Sequence, residues 1–164
     1  MPELKQCFET AGFENVKTVL GSGNVTFTAR SASRGSLERK IEAAMQKSLG
    51  RVFATTVRSI EELAALRDAD PYKSFGLAPQ AKRVVTLLHE KSKVVLKRPI
   101  ELDDARILCV KGTEIFSAYV PSPKGPVFMS LIEKTFGKDL TTRTWDTIGK
   151  IVKAGTPKSK RTAE

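Results

Sequence analysis

Two short turn segments, each between a pair of strand-like runs, constrain the fold of this chain more than any other feature. They are Gly21–Ser22–Gly23–Asn24, between residues 16–20 and 25–28, and Lys111–Gly112–Thr113, between residues 107–110 and 114–120. Glycine and asparagine in so short a connection are typical of β-hairpins, whose strands are antiparallel. Helical segments alternate with these hairpins, so the sequence predicts an α+β fold with antiparallel sheets rather than a doubly wound parallel sheet.

Five segments with apolar residues three and four positions apart predict helices. They cover residues 3–11, 37–49, 60–69, 126–136 and 145–154. Ser36 is the expected N-cap of the second helix, and Ser59 with Glu62 forms the pattern of a capping box before the third. Strands are also expected at residues 54–58 and 83–88.

The connector at residues 72–80 marks the expected boundary between two small parts. We predict a first α+β subdomain over residues 1–72, a second one with a β-hairpin and helices over residues 81–155, and a basic flexible tail over residues 156–164. A length of 164 residues with 40% apolar content is enough for one ordinary domain or two minimal ones.

The net charge of +10 is the strongest bias in the composition, and part of it comes from the tail residues Lys158, Lys160 and Arg161. Basic excess favours contact with phosphate backbones, so nucleic acid is a candidate partner through the basic surface and tail. The apolar runs are strand-sized, so no membrane association is expected. With two cysteines in separate apolar segments and no secretory pattern at the start, we expect a cytoplasmic protein with reduced thiols.

Candidate binding residues lie where strands meet turns or helices. Arg143, Trp145 and Asp146 stand together at a helix start, where Arg143 could clamp an anion and Trp145 could stack on a ligand. The alternative is that Thr144 or Asp146 caps the helix and Trp145 packs inward. Arg58 and Ser59 stand at another strand-to-helix junction, and Ser22 and Asn24 could line a groove at the sheet edge.

The sequence shows no set of residues typical of catalysis or of metal or cofactor binding. His89 is the only histidine, and no nucleophile stands beside it in a recognisable pattern, so a surface role is favoured. No pair of Cys or His residues has metal-ligand spacing. The expectation is therefore no catalytic residue, no metal and no cofactor.

Three motifs carry a resemblance to a known family. They are Ser22–Gly23–Asn24–Val25–Thr26–Phe27, Val57–Arg58–Ser59–Ile60–Glu61–Glu62–Leu63 and Thr142–Arg143–Thr144–Trp145–Asp146–Thr147–Ile148–Gly149–Lys150. Together they resemble the bacterial "domain of unknown function 1697" group of uncharacterised proteins, over nearly the whole chain up to Lys153. The resemblance implies a ferredoxin-like topology in the first part and implies no activity.

Members of this family begin with an apolar strand and a glycine-rich loop, whereas Met1–Pro2–Glu3–Leu4 already starts the first helix here. In a β-α-β-β-α-β unit that first strand is central, so we expect a vacant position in the sheet. Backbone N–H and C=O groups of the neighbouring strands that are left without a hydrogen-bond partner are costly when buried, at about 1–3 kcal/mol each. The hypothesis that follows is a truncated form or a misplaced start codon.

These observations favour a non-catalytic binding protein for an anionic ligand. The alternative is a nucleic-acid-binding protein, supported by the net charge of +10. A second alternative is an enzyme with part of its site in a missing N-terminal segment.

Overall fold

The computed structural model describes residues 2–21, 23–121 and 127–157. Within these residues the helices are α1 (Pro2–Thr10), α2 (Arg34–Leu49), α3 (Ile60–Ala69), α4 (Val127–Phe136) and α5 (Trp145–Gly155), with a short 3₁₀ turn at Lys73–Phe75. The strands of the same part are β1 (Glu14–Val19), β2 (Asn24–Thr28), β3 (Lys82–Leu88), β4 (Ile100–Leu102), β5 (Ala105–Lys111), β6 (Glu114–Tyr119) and β7 (Leu140–Thr144). The α+β class is confirmed.

The strands form two antiparallel sheets. A five-stranded sheet has the order β4-β5-β6-β3-β7, and β1 and β2 pair only with each other among the described residues. Both expected hairpins are confirmed, since β1 pairs with β2 and β5 pairs with β6. In the first of these turns, Ser22 lies outside the described residues.

The large sheet is covered on both faces. Helices α3 and α5 pack on one face around Val85, Phe116 and Trp145. Helix α4 packs on the other face around Ile107 and Ile132. A sheet with apolar side chains on both faces needs helices on both, and the two helix layers supply them.

The small sheet has its own core. Helices α1 and α2 pack against it around Phe8, Phe13 and Ile41. The rings of Phe8, Phe13 and Phe27 have centroids between 4.7 and 5.6 Å apart. Helix α5 contacts β1 and β2 as well as β3 and β7, so it packs against both sheets.

Several local expectations need correction. The N-cap of α2 is Ser33, not Ser36; the Ser33 hydroxyl accepts a hydrogen bond from the Ser36 backbone N–H. Strands β4 and β7 were not expected, because one has only three residues and the other ends directly at a helix.

The capping box of Ser59 and Glu62 is confirmed. Pro126, expected at the first position of a helix, lies outside the described residues.

Residues 54–58 were expected to form a strand, and this expectation is wrong: they pair with no strand in the described part of the chain. Two of their amides donate to side chains instead. Thr55 N–H donates to Glu42 Oε1 at 3.3 Å, and Val57 N–H donates to Glu38 Oε1 at 2.9 Å. In a β-strand, the amides of alternate residues point to the same side. Thr55 and Val57 follow this pattern, so the segment has one feature of a strand although it pairs with no described strand.

Gly155, at the end of α5, lies against α3 and β2. A Cβ atom there would lie 2.6 Å from Ile60 Cγ1 and 3.4 Å from Thr26 Cγ2. We expect Gly155→Ala to lower the free energy of unfolding by about 1–3 kcal/mol, because the extra methyl group overpacks this contact. Urea denaturation measures the change. Gly21→Ala, where the added Cβ meets no atom within 4 Å, is the matched control and should change stability by less than about 0.5 kcal/mol. Equal losses for both variants would contradict the close packing of α5.

Candidate functional site

A groove of about 520 Å³ lies between β2 and residues 51–58. Helices α1 and α2 line it on one side, and α5 and β7 line it on the other. The volume falls within the range of protein sites for small organic ligands.

The walls of the groove are mainly apolar. On the α1 and α2 side they are formed by Phe8, Ile41 and Met45, and on the α5 side by Ile148 and Ile151. The apolar residues of α2 were expected to face a core, and in the structure they face both the core and the groove. The groove can therefore accept an apolar body enclosed between two helices.

Arg143 and Asn24 form a polar corner of the groove. Arg143 Nε donates to Asn24 Oδ1 at 2.7 Å, and Nη1 donates to the Thr142 carbonyl at 2.8 Å. Asn24 Nδ2 donates to the Val19 carbonyl at 3.1 Å, which turns its Oδ1 toward the guanidinium. Burial lowers the pKa of Arg143, because a low-dielectric surrounding disfavours the charged form. An anionic group placed beside Arg143 would stabilise that charge.

Arg58 also lines the groove, but its side chain is held by the large sheet. Only 2% of the side chain is exposed, and Nε donates to Glu114 Oε1 at 2.9 Å. Its Nη1 donates to the Val57 carbonyl and its Nη2 to the Leu88 carbonyl. These three contacts use every nitrogen of the guanidinium, so Arg58 ties residues 54–58 to the large sheet.

The structure brings three of the seven expected binding residues together. Asn24, Arg58 and Arg143 all line the groove. Ser59 caps α3, and Asp146 is exposed in the first turn of α5. Neither of these two lines the groove, and Ser22 lies outside the described residues.

Trp145 lies in the core rather than in the groove. It is 3% exposed, and its ring centroid lies 5.1 Å from that of Tyr72 and 6.3 Å from that of Phe116. The Thr144 hydroxyl accepts the Thr147 N–H at 3.2 Å and caps α5. Of the two alternatives open from the sequence, the structure shows the one with a Thr144 cap and an inward-facing Trp145.

Arg51 is a groove residue that the sequence reasoning missed. It follows the glycine that ends α2, and no local pattern distinguishes it from other exposed arginines. Its guanidinium carbon lies 5.0 Å from the centroid of the Phe53 ring. Arg51 thus places a second cation at the groove besides the half-buried Arg143.

His89 is placed between two carboxylates. Its Nδ1 lies 3.2 Å from Glu38 Oε2, and its Nε2 lies 3.2 Å from Asp139 Oδ1. Both ring nitrogens therefore face acidic groups, and the imidazole links α2 to the segment before β7. His89 therefore contacts two carboxylates rather than a nucleophile that it could activate.

Within residues 2–21, 23–121 and 127–157, no group of three or more His, Cys, Asp or Glu side chains is placed to hold a metal ion. No helix in the same part of the chain has the length and apolar character needed to cross a bilayer.

Comparison with known proteins gives a similar fold and a family. The solved structure of a conserved bacterial protein from Streptococcus pneumoniae has a similar fold, with a TM-score of 0.68 and 22% sequence identity. The alignment covers 95% of this chain and 88% of that one. No curated protein matches the chain. The family model described as "protein of unknown function (DUF1697)" matches residues 1–116, and the chain therefore belongs to this family.

Proposed function

We propose that this protein is a non-catalytic binding protein and that the groove between β2 and residues 51–58 is its ligand site. The observation that carries this proposal is a groove of about 520 Å³ with mainly apolar walls. The partly desolvated guanidinium of Arg143 lies at its polar corner. Perturbed charged groups in clefts are typical of functional sites. The ligand that fits has a mainly apolar body and an anionic group.

The charge of the corner supports an anionic ligand. Arg143 and Arg51 both line the groove, and Arg58, which also lines it, forms an ion pair with Glu114. Hydrogen bonds from a guanidinium to an anion are stronger than those to a neutral acceptor. An anion at this corner would also offset the desolvation that Arg143 undergoes on folding.

A pair of fluorescent probes tests this proposal. Anilinonaphthalene sulfonate has an apolar body and a sulfonate, and phenylnaphthylamine has a similar body without the charge. We expect Arg143→Gln to weaken binding of the sulfonate probe by roughly tenfold, because a charge-assisted hydrogen bond is lost. Binding of the neutral probe should change by less than about twofold. Fluorescence titration measures both affinities.

The matched control is Arg98→Gln, since Arg98 is exposed and outside the groove. It should leave the affinity for both probes unchanged. Equal binding of the sulfonate probe by the Arg143 and Arg98 variants would refute the assignment of the anionic corner. Failure of the wild-type protein to bind either probe would refute the groove as a ligand site.

Nucleic-acid binding remains the alternative proposal. Its support is the net charge of +10, and the tail residues that contribute to this charge lie beyond Pro157, outside the described residues. The groove gives it no further support, because its walls are apolar and enclosed rather than lined by cations along a surface.

A further inference from the structure

A surface at one end of the large sheet combines exposed cations with an exposed aliphatic side chain. It includes the loop of residues 89–99, which connects β3 to β4. In the middle of this loop exposed residues alternate with partly buried ones, and the exposed ones are Lys91, Lys93, Val95 and Lys97. Val95 is 83% exposed, the highest value among the exposed large apolar residues that the structure describes. The loop therefore presents one aliphatic side chain between two lysines.

Contacts with the large sheet hold the loop on both sides of Val95. The Ser92 N–H donates to the Gly112 carbonyl at 3.4 Å, and the Ser92 hydroxyl accepts the Val94 N–H at 3.0 Å. On the other side, Leu96 packs against the apolar core under α4. The exposure of Val95 thus follows from a loop conformation that is anchored before and after it.

The loop passes around the turn between β5 and β6, so its cations gather at one end of the large sheet. It begins next to Leu88, whose N–H donates to the Thr113 carbonyl of that turn. It ends at β4, which is antiparallel to β5. The residues just before β4 therefore lie beside the end of β5 that enters the same turn. The exposed cations of the loop and the turn are Lys91, Lys93, Lys97, Arg98 and Lys111.

Few acidic groups offset these five cations. None of the five forms an ion pair with another described residue. Glu90 is the one acidic residue in the sequence of the loop. Asp139 lies 3.2 Å from His89 at the start of the loop. With five cations against these two carboxylates, the surface has an excess of positive charge.

A cationic surface with a central aliphatic residue fits an anionic lipid bilayer better than it fits nucleic acid. Lysine and arginine are attracted to anionic lipids, and an apolar side chain among them can enter the headgroup region. Nucleic acid would use the cations but not the valine, and the loop has no aromatic residue for base stacking. The expectation of no membrane association came from the lack of an apolar run that could span a bilayer, and binding at the bilayer surface needs no such run.

We propose that the loop of residues 89–99 and the adjoining β5–β6 turn bind the surface of an anionic lipid bilayer. Val95 enters the headgroup region, and the lysines around it face the lipid phosphates. No residue of this loop or turn lines the groove described above. The proposal therefore goes beyond the proposed function and does not depend on it.

Co-sedimentation with lipid vesicles tests the role of charge. We expect the wild-type protein to bind phosphatidylcholine vesicles with about one third phosphatidylglycerol at least about tenfold more tightly than vesicles of phosphatidylcholine alone. The double variant Lys93→Gln, Lys97→Gln should bind the anionic vesicles at least about tenfold more weakly than the wild type, because each cation near the surface contributes roughly fivefold.

The matched control is Lys47→Gln, Lys73→Gln, which removes the same charge from two exposed lysines. Lys47 lies in the last turn of α2 and Lys73 follows α3. Both helices begin near the β5–β6 turn, where Arg34 contacts Thr113 and Glu62. The two lysines therefore lie farther from the turn than the Debye length of about 10 Å, and the control should change vesicle affinity by less than about twofold.

A second pair of variants tests the insertion of Val95. Val95→Thr keeps the shape and charge of the side chain but replaces a methyl group by a hydroxyl. We expect it to bind anionic vesicles roughly fivefold more weakly than the wild type. Val52→Thr makes the same change at a valine that is 45% exposed and outside the loop, and should leave the affinity within about twofold.

Duplex DNA of mixed sequence is the comparison ligand. Weaker vesicle binding by both the Lys93, Lys97 double variant and Val95→Thr supports the proposal. Equal vesicle affinities of Val95→Thr and Val52→Thr would overturn it, because the valine would then take no part. If the wild type binds the duplex through Lys93 and Lys97 but does not bind anionic vesicles, the partner is nucleic acid and the membrane proposal is wrong. It is also wrong if the wild type binds neither ligand.

Discussion

Replacing Glu114 by glutamine is expected to lower the free energy of unfolding by about 3–5 kcal/mol, because it leaves the charge of a buried arginine without its carboxylate. The side chain of Arg58 is 2% exposed and that of Glu114 is 14% exposed, so water cannot replace the lost partner. A typical domain has only about 5–15 kcal/mol of total stability. The Glu114→Gln variant should therefore unfold at a much lower urea concentration than the wild type.

The chain provides a matched control in a second Arg–Glu pair. Arg106 Nε lies 3.0 Å from Glu101 Oε1, and these side chains are 34% and 62% exposed. Because exposed ion pairs contribute about 0–1 kcal/mol, Glu101→Gln should have little effect. If the two variants lose the same stability, the Arg58–Glu114 pair does not hold residues 54–58 on the large sheet. A double-mutant cycle with Arg58→Met separates the free energy of the ion pair from that of the hydrogen bonds between Arg58 and backbone carbonyls.

This ion pair matters for the proposed site as well as for stability. Residues 54–58 form one side of the groove, and Arg58 attaches their end to Glu114 in β6 and to the carbonyl of Leu88 in β3. A ligand that enters the groove meets a wall fixed in place at this end. We infer that loss of the pair would weaken ligand binding indirectly, by releasing that wall.

The second large effect is expected for Trp145→Ala. Removing a buried aromatic side chain costs about 3–5 kcal/mol, since the transfer energy is lost and a cavity remains. Trp145 is 3% exposed and contacts Tyr72 and Phe116, and the Arg67 guanidinium carbon lies 4.8 Å from the centroid of its ring. Urea denaturation followed by far-ultraviolet circular dichroism measures the loss without needing the tryptophan signal.

Phe53→Ala is the control for this truncation, since Phe53 is an aromatic residue that is 50% exposed. It should cost far less than the core variant, roughly 1 kcal/mol or below. If Trp145→Ala does not fold, Trp145→Phe retains part of the packing and should still be destabilised by at least about 1 kcal/mol. A loss below 0.5 kcal/mol for Trp145→Ala would contradict the core position and favour a ligand-stacking role.

Local sequence chemistry determined several elements without help from the rest of the chain. The turn around Gly23 and Asn24 and the turn Lys111–Gly112–Thr113 specify hairpins, because backbone preferences of a few residues decide them. Ser59 and Glu62 specify a capping box for the same reason: both partners lie within one helical turn. These predictions depend on contacts between residues at most a few positions apart.

Tertiary structure decided the site. Arg143 and Asn24 are 119 positions apart in the chain, and Arg58 and Glu114 are 56 apart, so no local pattern pairs them. Residues 54–58 show the same limit. Their composition indicates a strand, but a ladder needs a neighbour, and in the described structure the carboxylates of Glu38 and Glu42 bind two of their amides instead. The sequence thus determined which segments can be helices and strands, whereas long-range packing decided which strand edges are paired and where the groove lies.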